Sequence, residues 1–200
     1  MNIFVLDWNP KKAARYHCDK HVVKMILESA QILCTARIEL LKERITYNQE
    51  IIEHSLECED CREFLNEIEF DENDENDILL DLINETPYKA AFQKHPCVLW
   101  AKESVANYFW LITLAEYLCL EFEKRFEKEH KSKKVIKYCR NKLNGIFFLF
   151  EKRDLTIFRL AMPEDVKNES DPIEAYRNYY RVYKSEIAEW NKGTNKPHWY

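Results

Sequence analysis

A mainly α fold is predicted: a compact, single-domain helical bundle of about five helices over residues 1–200, with an acidic insertion at 47–86. Three observations predict it. The 200 residues include only two glycines, Gly145 and Gly193, too few for the tight primed turns that join β-hairpins. An apolar fraction of 46% is enough for a real core. Residues 13–35 are apolar around most of a helical circumference, with one narrow polar stripe.

The elements follow in order. Residues 1–7 (MNIFVLD) read as a short extended start. Asn9-Pro10 makes a turn that admits the first helix, expected to run to about residue 45. Residues 47–86 contain the low-complexity run FDENDENDILLDLINE and read as an inserted helical hairpin or a partly disordered excursion. Residues 88–97 form a loop ending in His-Pro-Cys, and Pro96 suits the first turn of a helix from about 97 to 130. That helix is rich in aromatics and should be central. Residues 133–149 are expected to form another helix, and 158–167 a loop. Asp171-Pro172 starts the last helix, with Asp171 as N-cap and Pro172 at N1, and it should reach about residue 191. The tail NKGTNKPHWY is irregular, with Trp199 and Tyr200 docked.

The net charge of -5 hides two opposed regions. Residues 47–86 hold fifteen Asp/Glu against Arg62 alone, a net of -14, so the other 160 residues carry 29 basic and 20 acidic groups, a net of +9. Residues 124–153 hold eleven Lys/Arg against three acids, interleaved with Tyr138, Phe147 and Phe148. Such a surface suits phosphates and bases, or is simply a solvated helix face. Neither GxGxxG nor GxxxxGK[ST] occurs, which excludes the glycine-rich phosphate loops. Seven scattered cysteines, with no signal peptide and no membrane-spanning run, point to free thiols in a reducing cytoplasm.

The polar stripe carries the candidate chemistry. At about 100° per residue, His17, His21, Lys24, Glu28, Gln31 and Thr35 share a sector roughly 80° wide. Val22, Val23, Ile26, Ala30 and Leu33 cover the opposite side, and Leu27 flanks the stripe. Glu28 is a candidate general base tuned by burial and by Lys24. Lys24 or Lys20 is a candidate amine nucleophile, because a lysine near other cations has a lowered pKa. His17 and His21 complete the catalytic set. The blander reading is a thin solvent strip with Lys24 and Glu28 as an i,i+4 pair. His17 and His21 are also spaced to face one metal ion, with further ligands needed from Asp7 or His95. The glutamate of HExxH is missing, since Cys18 stands there. His54, Cys58 and Cys61 make three zinc-type ligands without a fourth. No metal and no cofactor is expected.

Two further helices carry candidate binding residues. His95 precedes Trp100, Ser104, Asn107 and Tyr108; Asn107 suits a base edge and Trp100 suits stacking, or both belong to a packed polar layer. On the last helix Tyr176, Tyr180 and Tyr183 line a face beside Arg177 and Arg181, a pairing that serves phosphate binding and stacking, or simple packing.

The runs MNIFVLD, HCDKHVVKMILESAQ, HPCVLWAKESVANYFWL, AMP, AYRNYY and the closing Pro-x-Trp together resemble a family of small helical proteins of phages and large DNA viruses. The resemblance spans nearly the whole chain except 47–86. It implies a viral setting and carries no settled activity. A second resemblance rests on the order of elements: a short extended start, a helix with a polar stripe including Glu28, then His95-Pro96 before Trp100 and a long helix. This order is similar to pyrimidine-dimer DNA glycosylases of the endonuclease V type. That resemblance implies a helical protein binding bent duplex DNA through a basic face, with an N-terminal amine as nucleophile and Glu28 in the glutamate role. The chain departs from the pattern at Asn2, before which methionine is usually retained; the amine would then belong to Met1 or to Lys24, or be absent.

The expected function is a nucleic-acid- or nucleotide-processing enzyme, of DNA glycosylase/lyase or nucleotide hydrolase type. Its catalytic residues are Glu28, Lys24, His21 and His17. Its substrate-binding residues are His95, Trp100, Asn107, Tyr108, Arg177 and Tyr180. The expected partner is nucleic acid or a nucleotide in the host cytoplasm, with no membrane, and a host protein is a candidate partner of the acidic insertion. Three rivals stand beside it: a non-catalytic viral binder that sequesters a nucleotide, signalling molecule or host protein; a metal-dependent hydrolase using His17, His21 and His95; and a structural virion or interaction protein.

Overall fold

The chain enters extended, and the apolar run Ile3, Phe4, Val5 and Leu6 is fully buried. The structure is a computed structural model that describes residues 1–57 and 72–200. Asn9 caps the first helix, α1 (Pro10–Tyr16), by accepting the N–H groups of Lys11 and Lys12. The helix expected to reach residue 45 breaks here instead. His17 is extended (ψ 135°), and α2 begins at Asp19. The break has a physical cause. The buried Arg125 guanidinium donates to the carbonyls of Arg15 (3.0 Å) and His17 (2.8 Å), taking the acceptors that a continuous helix would use.

The second helix, α2 (Asp19–Glu57), runs past residue 45 into the acidic segment. The helix α3 (Glu72–Asn84) packs against it through buried Leu79, with Arg44 Nε 3.4 Å from Glu75. The described parts of 47–86 are therefore helical as far as Asn84.

The expected 97–130 helix is two helices, α4 (Pro96–Glu103) and α5 (Val105–Phe126). Ser104 separates them in extended conformation, accepting the Ala106 N–H and donating to the Asp154 carbonyl at 2.5 Å. The next residue, Val105, donates its N–H to the Lys152 carbonyl, so a crossing segment holds the break open. Glu127 ends α5 in the left-handed region (φ 52°). The expected 133–149 helix is also divided, into α6 (Lys133–Asn141) and a 3-10 turn at Asn144–Leu149. Residues 158–167 form the expected loop, apart from a short 3-10 turn at Glu164–Val166. Asp171 caps α7 (Pro172–Tyr183) through the Glu174 N–H, as its sequence predicts. This helix stops well short of residue 191, because the chain turns back onto the α1–α2 break. There the Glu189 carbonyl accepts the Asp19 N–H and Trp190 Nε1 donates to the Tyr16 carbonyl. Trp199 and Tyr200 dock against the core.

Seven α-helices and two 3-10 turns are thus present among the described residues, where about five helices were expected. The excess comes from the two breaks and from α3. The described residues contain no strand, only an isolated bridge between Ser104 and Lys152. The central helix α2 packs on α3, α4, α5 and α6, and α1 lies on α5. No helix among the described residues is long and apolar enough to cross a membrane.

Candidate active site

Asn2 is the one polar residue among the first six, and it organises the site. Its side chain is enclosed and fully engaged. Oδ1 accepts the Ile3 N–H and lies 3.1 Å from the Tyr176 hydroxyl; Nδ2 donates to the Ala161 carbonyl at 2.9 Å. Its main-chain N–H donates to Glu28 Oε2 at 2.7 Å. The extended start is thereby pinned to α2, α7 and the 158–167 loop at once.

Glu28 is half-enclosed, with a side chain 12% exposed, and its other oxygen lies 3.3 Å from Lys24 Nζ. Lys24 stands one turn earlier on α2 and is 68% exposed. His95 borders the same place as N-cap of α4, where Nδ1 accepts the Cys97 N–H. Burial holds the His95 imidazole below its ordinary range, aided by the positive charge of the chain's first amine. The Glu28 carboxylate and the Met1 carbonyl act in the opposite direction. Carboxylate, amine and imidazole therefore converge at the start of the chain. Burial also pushes the adjoining Cys97 thiol up to about 12, which keeps it protonated.

The rest of the stripe does different work. Gln31 donates to the Lys89 carbonyl, and buried Thr35 accepts the Ala91 N–H, so both anchor the loop before α4. His17 and His21 are enclosed beneath α7. His17 Nδ1 donates to the Ala13 carbonyl at 2.7 Å, and its Nε2 meets no protein partner among the described residues. His21 stacks on Phe4 with ring centroids 4.5 Å apart, and its Nδ1 lies 2.5 Å from the Tyr180 hydroxyl. Desolvation lowers the His17 pKa to about 4 and the His21 pKa to about 3, so both imidazoles are neutral at pH 7. Glu28 lies two turns further along α2, about 10 Å from His21.

The other predicted residues form separate groups. Trp100, Asn107 and Tyr108 are buried together where α4, α5 and the 150–160 segment meet. Asn107 Nδ2 donates to the Trp100 carbonyl (2.8 Å) and to Thr156 Oγ1 (2.7 Å), and its Oδ1 accepts the Thr156 N–H (2.9 Å). Tyr108 donates to the Leu33 carbonyl. Arg177 donates to the Leu6 carbonyl at 3.0 Å and lies over the Trp199 ring. Tyr180 belongs with His21. Glu28, Lys24 and His95 are therefore brought together, while the remaining seven are not brought to them.

A cleft of about 670 Å³ lies along the 155–160 segment, and none of Glu28, Lys24 and His95 lines it. Arg159 and Leu160 line it, two residues and one residue before the Ala161 carbonyl that holds Asn2. Of its three cations, Lys152 and Arg159 are paired with Glu103, at 2.7 and 3.3 Å, and Lys167 with Glu164. Much of the basic 124–153 stretch is likewise matched by acids: Lys133 by Glu123 and Glu129, Arg140 by Glu116. Among the described residues no three His, Cys, Asp or Glu side chains lie close enough to hold a metal ion. Asp7 instead faces Arg177 at 3.6 Å. Cys58 and Cys61 lie outside the described residues, and the His54 side chain is not described.

Sequence reasoning missed Asn2 as a site residue. Its signal was present: a lone amide inside the apolar run MNIFVL is costly to bury without partners, so partners had to exist. Compared with protein-family models, curated proteins and solved structures, the chain matches none.

Proposed function

We propose that this chain is a nucleic-acid- or nucleotide-processing enzyme of the base-excision class, with its reacting centre at Glu28. One observation carries the reading. A half-enclosed carboxylate sits 2.7 Å from a main-chain nitrogen at the start of the chain and 3.3 Å from a lysine amine. Base excision by an amine needs this pairing. The amine attacks C1′ as the base departs, and a Schiff base forms; a nearby carboxylate stabilises the positive charge that develops on the sugar and then on the imine. Lys24 Nζ and the Met1 amine are the two candidate nucleophiles. Loss of Met1 would place a free amine directly on Glu28, at the position of the Asn2 nitrogen. The resemblance in element order to pyrimidine-dimer glycosylases supports the same assignment of Glu28, and the viral kinship suggested by the motifs sets the activity in a host cytoplasm. In this reading His95 borders the substrate, while His17, His21, Trp100, Asn107, Tyr108, Arg177 and Tyr180 hold the walls.

The test is borohydride trapping on duplex DNA carrying an abasic site or ultraviolet photoproducts, followed by mapping of the modified residue. The expected result is a covalent adduct on Lys24 or the first amine, lost in Glu28→Gln while binding persists. Full activity in Glu28→Gln would remove the catalytic assignment. Stoichiometric binding of a nucleotide with no product would replace the enzyme by a sequestering protein, and activity abolished by a chelator would replace it by a metal-dependent hydrolase.

A further inference from the structure

The interface between α2 and α6 contains a charge that no carboxylate among the described residues matches. Arg37 is fully buried, yet its only protein hydrogen bond among the described residues runs from Nη1 to the Lys142 carbonyl at 3.2 Å. Its Nε and Nη2 meet no protein acceptor among the described residues, and neither does the buried hydroxyl of Tyr138, whose ring lies beneath the guanidinium. An isolated buried guanidinium is strongly unfavourable, because desolvation is not offset by a nearby anion.

The groups able to supply that anion are two thiols. Cys34 stands one turn before Arg37 on α2, and Cys139 one turn before Lys142 on α6. Their sulfurs are 3.9 Å apart and enclosed. The Tyr108 hydroxyl, held by the Leu33 carbonyl, closes the far side. The positive charge of Arg37 favours the thiolate at both sulfurs, and the hydrogen bond between them lowers the Cys34 pKa while raising that of Cys139. Two thiols in contact at 3.9 Å, one with a lowered pKa, and a cation beside both are the parts of a redox-active dithiol.

We propose that Cys34 and Cys139 form a peroxide-oxidisable pair that closes into a disulfide joining α2 to α6. The Cys34 thiolate attacks one oxygen of hydrogen peroxide. The O–O bond breaks, hydroxide leaves and takes up a proton as water, and Cys34 becomes a sulfenic acid. Cys139 Sγ then attacks Cys34 Sγ, the S–O bond breaks, and the departing hydroxide leaves as water with the Cys139 proton. Two thiols are oxidised by two electrons, and one peroxide is reduced to two waters. Closing the bond needs the sulfurs to approach from 3.9 Å to about 2 Å, a shift that side-chain rotation and slight movement of α6 supply.

The experiment uses the full chain with Cys58→Ser and Cys61→Ser, treated with hydrogen peroxide in its folded state and mapped without reduction. The expected product is a single linked peptide pair, Cys34 with Cys139, and the loss of two thiols per chain. In Cys139→Ser a sulfenic-acid probe should label Cys34 instead. Arg37→Met should slow the reaction by about tenfold, through the loss of thiolate character. The proposal is overturned if Cys34 and Cys139 stay reduced after Cys18, Cys97 or Cys119 has reacted, or if the linked pair appears only in denaturant. An unchanged rate in folded Arg37→Met would remove the guanidinium from the mechanism.

Discussion

His21 Nδ1 and the Tyr180 hydroxyl oxygen lie 2.5 Å apart, joining α2 to α7 across 159 residues of sequence. With His17 and Phe4 they form one enclosed aromatic layer, whose ring centroids are 4.5 Å apart for Phe4 and His21 and 5.0 Å for His21 and Tyr180. A layer that encloses two neutral imidazoles ties the fold to pH.

Stability should fall as the solution becomes mildly acidic. The folded pKa values of His17 (about 4) and His21 (about 3) lie below the ordinary 6.5, so the unfolded chain binds protons that the folded chain refuses. The contribution is complete above pH 6.5 and is lost progressively below it, levelling only beneath the folded values. His95 and His130 are shifted in the same direction, also by burial first. Between pH 6.5 and 4.5, before most carboxylates titrate, the loss should be on the order of 4 kcal/mol. Urea unfolding at a series of pH values measures it, and a flat midpoint across that window would contradict the neutral assignment.

Arg125 should be among the costliest side chains to remove. Its guanidinium is buried and fully engaged, by Asp19 (3.1 Å), Glu121 (2.9 Å) and the two carbonyls freed where α1 ends. Arg125→Met strands two carboxylates and two carbonyls together. We expect a loss of about 3–5 kcal/mol, read from chemical denaturation. A loss under 1 kcal/mol would mean the α1–α2 break is held by other contacts.

The element starts were legible because caps are local chemistry: Asn9, His95 and Asp171 each accept a nearby main-chain N–H. The breaks at His17 and Ser104 were not, because their causes lie about a hundred and about fifty residues away, at Arg125 and at the Lys152–Asp154 segment. The polar stripe was legible as a pattern but not in its orientation. The first residues and α7 cover its histidine end, turning Val23 and Leu27 outward, 38% and 49% exposed. Periodicity finds a polar face, but what covers that face is decided by tertiary contacts. Glu28 stood out in the sequence; its partner Asn2 did not, since nothing local links positions 26 residues apart.

Asn107 should act as a structural joint. Its amide satisfies the Trp100 carbonyl and both the hydroxyl and the N–H of Thr156, in a fully enclosed setting. Asn107→Leu leaves the main-chain groups of Trp100 and Thr156 without these partners, which should cost about 2–4 kcal/mol. Hydrogen exchange should show the damage confined to the 150–160 segment and the α4–α5 break. Uniform protection loss across α2 would show that the joint is not local.

Arg37 presents the opposite case to Arg125. Both are buried, but Arg125 meets two carboxylates, whereas Arg37 meets one carbonyl and, among the described residues, leaves Nε and Nη2 without a protein partner. No carboxylate among the described residues offsets the desolvation of the Arg37 charge, and an apolar side chain of similar length should fit the same space at lower cost. Arg37→Met is expected to raise stability by about 1–3 kcal/mol at pH 7, measured by thermal or urea unfolding under reducing conditions. The same substitution removes the cation beside Cys34 and Cys139, so stability should rise while peroxide reactivity falls. Opposite signs in two assays separate a charge kept for thiol chemistry from one kept for packing, since loss of a packing residue lowers stability. A fall in unfolding midpoint for Arg37→Met would assign the guanidinium to the core.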